Sequence, residues 1–122
     1  MKRLSFHFST VLAMAGVLAI SGLSLGCGRG PVDTTGASAV VALTGSASAG
    51  SVVFAQECSE CHGASGTGGQ SGSNLQSFAP TYTDLELAGI MLNGYGDMPA
   101  LERYLTDQEA ADVIAHLRAT FP

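Results

Sequence analysis

Cys58, Cys61 and His62 fall within eight residues, "QECSECHG" from Gln56 to Gly63: two thiols three positions apart and an imidazole directly after the second. Three chemistries use such a group. A thioredoxin-like dithiol sits at the start of a helix that follows a buried strand, in a fold with a parallel sheet, and nothing of that kind precedes Cys58. A structural zinc site takes four ligands. With Cys58 and Cys61 used, the chain beyond residue 26 holds only His62, His116 and the distant Cys27, and His62 abuts Cys61 too closely to turn easily to the same ion. Haem attachment uses every residue. The thiols add across the two porphyrin vinyl groups, the spacing on a helical turn sets their separation, and the histidine next in the turn ligates iron from the proximal side. Haem attachment is the preferred reading.

A second axial ligand then has to come from Met91, Met98 or His116, the remaining methionines and histidine beyond residue 26. Met98 stands in "NGYGDMPAL", where Pro99 biases it toward extended backbone and withholds an N–H, so its side chain should project from a loop. Gly94 and Gly96 let that loop approach a flat ligand closely. Met91 shares a helix with Leu87, where a methionine ordinarily packs in the core, and His116, beside Leu117, reads as a partly exposed helical residue. Met98 is the expected sixth ligand, 36 positions after His62.

These residues need elements to hold them. Val52, Val53 and Phe54 lead into the cysteines and predict a short helix from about Gly50 that ends near Cys61. Gly63 to Ser73 is a glycine- and serine-rich loop. Thr83 stands three residues before Glu86 as a capping box, and Leu85, Ala88 and Leu92 repeat at helical spacing until Asn93-Gly94 stops the helix. Thr106 and Glu109 repeat the device ahead of a last helix, whose Ala110, Val113, Ile114, Leu117 and Phe121 share one face. No alternating strand pattern follows residue 50, so the fold class is all-α, three to four helices with long loops. The 73 residues from 50 to 122 carry narrow apolar stripes, and a domain of that size needs a staple such as a disulfide, a metal or a large apolar cofactor.

The first half differs. Lys2 and Arg3, an apolar run from Val11 to Leu25 too short to favour a spanning helix, and small residues up to Gly26 read as a signal peptide over 1–26, against a retained membrane anchor. "LSLGC", residues 23–27, resembles the lipobox of bacterial lipoproteins, with Ser24 where leucine is usual and Leu23 one place back. Acylation of Cys27 is therefore expected, with ordinary cleavage after Ser24-Leu25-Gly26 as the alternative. Residues 27–49 are mostly Gly, Ala, Ser, Thr and Val and read as a flexible tether, against a short strand around Ala39 to Leu43. From residue 50 on, two arginines face nine acids, a net charge of −7 with no lysine. Nucleic acid and anionic lipid would be repelled, and a charged partner should present a basic face.

Together these residues resemble the class I, single-haem bacterial cytochromes c, over nearly all of the chain from Gly50. "GSVVFAQECSECHG" is similar to the family's first helix, with Gly50 and Phe54 where a small residue and an aromatic meet the terminal helix. "CSECH" matches the attachment site, "NGYGDMP" the methionine loop and "LTDQEAADVIAHLRATF" the C-terminal helix. Two positions depart: Ser73, in "GSNL", stands where the family often has the proline whose carbonyl accepts the proximal histidine's other N–H, and His116 where it often has Tyr or Trp. The resemblance implies one covalent haem c on Cys58 and Cys61, with iron between His62 and Met98, in a single-electron carrier of a periplasmic redox chain and not an enzyme. Leu75, Phe78, Leu85, Ile90, Leu101, Val113, Ile114 and Leu117 would line or support the pocket, and Tyr82 and Tyr95 would either hydrogen-bond the propionates or simply pack. Partners would be redox proteins that dock briefly on a monomer, its only membrane contact the lipid on Cys27. A peroxidase-like haem enzyme or a ligand sensor with a labile Met98 is the alternative, although the Met98 loop offers only Asp97 for acid–base work.

Overall fold

The computed structural model describes residues 30–69 and 71–122; the expected signal peptide over 1–26 and Cys27 lie outside them. Among the described residues every regular element is helical, in keeping with the all-α expectation. None of these helices is long and apolar enough to cross a membrane.

The first expected helix starts earlier than Gly50. α1 (Ala37–Val41) is followed by α2 (Ala47–Val53), a π-helical turn (Phe54–Cys58) and α3 (Ser59–His62), the last three forming one helical run. Ser46 caps α2, its side chain accepting from the Ala49 N–H at 3.3 Å. The π turn carries both of its buried residues, Phe54 and Cys58, to the inside, and such turns recur at functional sites. Gly63, at φ 79°, ends the run directly after His62.

Two capping boxes start the other long helices, as their local spacing predicts. Thr83 Oγ1 accepts from the Glu86 N–H and the Glu86 carboxylate accepts from the Thr83 N–H at the head of α5 (Asp84–Asn93), and Thr106 and Glu109 do the same for α6 (Asp107–Thr120). The expected α6 face, Ala110, Val113, Ile114, Leu117 and Phe121, is buried throughout. On α5 the buried face runs from Leu87 to Leu92, while Leu85 is 39% exposed. Between the two cysteine-bearing and methionine-bearing regions lie α4 (Leu75–Phe78), capped by Asn74, and a 3-10 turn (Ala79–Thr81).

α2 packs on α6 at close range. A Cβ on Gly50 would overlap the Asp112 carbonyl, so a side chain there would force the helices apart. Asp112, itself buried, accepts from the Ser46 N–H at 2.7 Å and from the Gln108 amide at 3.0 Å. Phe54 meets His116, ring centroids 5.3 Å apart, which is how the helix pair accommodates a histidine at that position. Arg118 reaches from α6 to the Ala79 carbonyl and the Asp84 carboxylate, each at 2.8 Å, and ties the 3-10 turn and the start of α5 to the last helix.

The expected tether is corrected for residues 31–49. Ala37 and Val40 are fully buried, α1 packs on α5, and the stretch from Ala39 to Leu43, for which a short strand was the alternative, is α1 for most of its length. The physical reason is that the segment is held mostly through its own carbonyls. Asn93 donates to Asp33 O and Thr35 O at 3.0 Å each, and Gln108 to Thr44 O at 3.1 Å. Small side chains suit such a close approach and leave no amphipathic period in the sequence.

Candidate functional site

The end of α3, the loop after it, α5, the Met98 loop and α6 enclose a cavity of about 450 Å³. Cys58, Cys61, His62 and Met98 all line it. Cys58 is buried on the π turn and Cys61 exposed on α3. Burial pushes the Cys58 thiol up to about 11, with the charges of Glu57 and Cys61 adding to the effect.

His62 is oriented by the loop that follows it. Its Nδ1 lies 2.9 Å from the Ser73 carbonyl. A carbonyl can only accept, so Nδ1 carries the proton and Nε2 is left with a lone pair for a metal. The backbone carbonyl expected at this place is thus provided by Ser73. A Cβ on neighbouring Gly72 would crowd the Cys61 carbonyl and the His62 ring, which explains the glycine in "GSNL".

Met98 is half-buried on a loop and not on a helix. Its backbone is paired both ways with Tyr95, Tyr95 N–H to Met98 O at 3.1 Å and Met98 N–H to Tyr95 O at 3.0 Å, a single antiparallel bridge that suits the extended form Pro99 favours. Met91 also reaches the cavity wall, from the last turn of α5, where it is 6% exposed among core residues. His116 does not line the cavity; it is engaged with Phe54 and lies 3.4 Å from the Thr120 hydroxyl.

The rest of the wall is mostly hydrocarbon. Of the expected lining residues, Leu75, Phe78, Ile90, Leu101, Val113 and Leu117 are present. Leu85 is turned to solvent, and Ile114 lines a separate, smaller cleft beside Val40 and Ala115. Phe54 and Leu87 belong to the wall as well; both lie at helical spacing from residues already singled out, Phe54 four before Cys58 and Leu87 three before Ile90. Tyr82 is buried and stacked on Phe78 at 4.3 Å, away from the cavity, and Tyr95 lines the cavity but gives its hydroxyl to the Gly30 carbonyl at 3.2 Å. Neither position favours the propionate role.

The donor set fits a c-type haem. A large, flat, apolar group with two vinyl carbons and an iron calls for an apolar cavity, two thiols, an imidazole with a fixed free nitrogen and a soft thioether, and all of these meet here. No group of three or more His, Cys, Asp or Glu able to hold a metal ion occurs among the described residues.

Comparison with known proteins agrees with this chemistry. Residues 45–117 match the family model described as cytochrome c oxidase, cbb3-type, subunit III. Among solved structures, cytochrome cL from the marine methylotroph Methylophaga aminisulfidivorans is 24% identical at a TM-score of 0.55, with 72% of this chain and 57% of that chain covered. Cytochrome cL from Hyphomicrobium denitrificans is 24% identical at 0.53, with 71% and 49% covered. The chain therefore spans about half the length of these structures and shares their fold. No curated protein matches it. With most of its length inside the matched region, the chain belongs to the cytochrome c family, in the branch described as cbb3-type oxidase subunit III, whose members carry covalently bound haem c.

Proposed function

We infer that the protein is a single-electron carrier and not an enzyme. The observation that carries this reading is the meeting of Cys58, Cys61, His62 and Met98 at one largely apolar cavity. Cys58 and Cys61 would hold the haem through thioethers, and His62 and Met98 would take the two axial positions. The bound group supplies an iron that cycles between Fe(II) and Fe(III), and thioether ligation favours the ferrous form and a relatively high potential. The Ser73 carbonyl fixes the His62 ring and raises its basicity. Leu75, Leu101, Val113 and Leu117 keep water from the site.

Its partners are redox proteins with a basic docking face. The net −7 over residues 50–122 supports this, as do Glu57 and Asp97 at the cavity. The N-terminal pattern supports export to the periplasmic side with Cys27 as the lipid attachment point, in a monomer that touches the membrane only there. Potentiometric titration of the protein produced with a c-type maturation system tests the reading. A reversible one-electron response is expected; an irreversible response with catalytic consumption of peroxide would favour a haem enzyme instead.

A further inference from the structure

The segment from Gly30 to Val41 precedes the region shared with the family, which begins at residue 45, yet it is bonded to the part of the site that carries Met98. Three of its main-chain carbonyls accept from the side chains of Asn93 and Tyr95. Gly30 O takes the Tyr95 hydroxyl at 3.2 Å, and Asp33 O and Thr35 O both take the Asn93 amide at 3.0 Å. The approach is close enough that a Cβ on Gly89 would overlap the Asp33 carbonyl. Within the segment, Asp33 turns back to accept from the Thr35 N–H at 2.9 Å, and α1 then plants Ala37 and Val40 in the core. Asn93 and Tyr95 flank Gly94, where α5 gives way to the Met98 loop, and Tyr95 is the residue whose backbone pairs in both directions with Met98.

We propose that residues 30–41 form a strap that holds the Met98 loop closed, with Asn93 and Tyr95 as the positioning residues that grip it. The strap does not touch the iron site. It restrains Tyr95 from outside, and the reciprocal bridge passes that restraint to Met98, so opening of the loop requires the strap contacts to break or the bridge to part. The role rests on Met98 being an axial ligand, and it makes this ligand less prone to leave than the family's shared region alone would.

The test is the rate of carbon monoxide binding to the reduced, fully matured, full-length protein, measured with the thermal midpoint of each variant. Tyr95→Phe keeps the ring in the cavity wall and removes only the hydroxyl; Asn93→Asp keeps the size and removes the two donated bonds. Asp112→Ala breaks a bond between α6 and the start of α2 and serves as a variant destabilised elsewhere. Each strap variant should bind carbon monoxide about five- to tenfold faster than the unaltered protein, the effect of losing one or two part-exposed hydrogen bonds from the closed form, while Asp112→Ala binds no faster. Strap variants no faster than Asp112→Ala, in a protein that itself binds slowly, would overturn the strap alone. Rapid binding by the unaltered protein, with Met98→Ala spectrally silent, would overturn Met98 ligation and the strap with it.

Discussion

Cys58 and Cys61 differ in setting although they share one motif. Before attachment the Cys58 thiol is buried and held near 11, whereas Cys61 is exposed. Against an ordinary value of 9.0, its thiolate fraction at neutral pH is lower by roughly a hundredfold. Where circular dichroism shows that the unmatured chain keeps this helical fold, a thiol-selective alkylating reagent should modify Cys61 first, read by mass spectrometry of the peptides; equal rates in a folded chain would contradict the burial of Cys58. The grouping of Cys58, Cys61 and His62 at the end of one helical run and the loop setting of Met98 were legible because each depends on neighbours within a few positions. The placements of Tyr82 and Tyr95 were not, because each is decided by a distant residue, Phe78 or Gly30 packing against it in space.

Helix starts follow the same rule. Thr83 and Thr106 announce α5 and α6 through contacts three residues long, and replacing Thr106 by Ala should cost about 1 kcal/mol in denaturant unfolding. The Thr106 N–H and hydroxyl hold the Glu109 carboxyl below its usual range. A lowered folded-state value means that this contribution is present above the ordinary Glu value of 4.5 and is lost as pH falls through the folded-state value. Glu109→Gln, which cannot titrate, should therefore flatten the acid limb of the stability profile, and Thr106→Ala only in part because its N–H still donates to Glu109; a limb unchanged by Glu109→Gln would contradict the box. At Gly50 the contact is tertiary: Gly50→Val pushes against the Asp112 carbonyl and should cost about 1–3 kcal/mol, while exposed Ser51→Ala should stay within about 0.5 kcal/mol. α1 escaped the sequence reading for a complementary reason. Its two buried side chains, Ala37 and Val40, are small, and the carbonyls just before it meet Asn93 about sixty residues away, so composition pointed to a tether where the fold makes a strap.

At the scale of the molecule, charge and size set the behaviour. The domain from residue 50 carries net −7 with no lysine, so electron transfer with a basic partner should slow by about tenfold as salt rises from about 0.01 M to about 0.15 M; a rate that climbs with salt would contradict a basic docking face. A small helical domain built around an apolar cavity of about 450 Å³ also gains apolar burial when a large flat group fills that cavity in the folded state, so a covalent haem would be part of the core as well as the redox centre. The most direct measurement is the visible spectrum of the matured protein, oxidised and reduced, with and without carbon monoxide. The account predicts haem that stays with the chain on denaturation, a weak long-wavelength sulfur-to-iron band in the oxidised form and little change on adding carbon monoxide. Haem that extracts freely, or a missing band with rapid carbon monoxide binding, would contradict a covalent site closed by His62 and Met98.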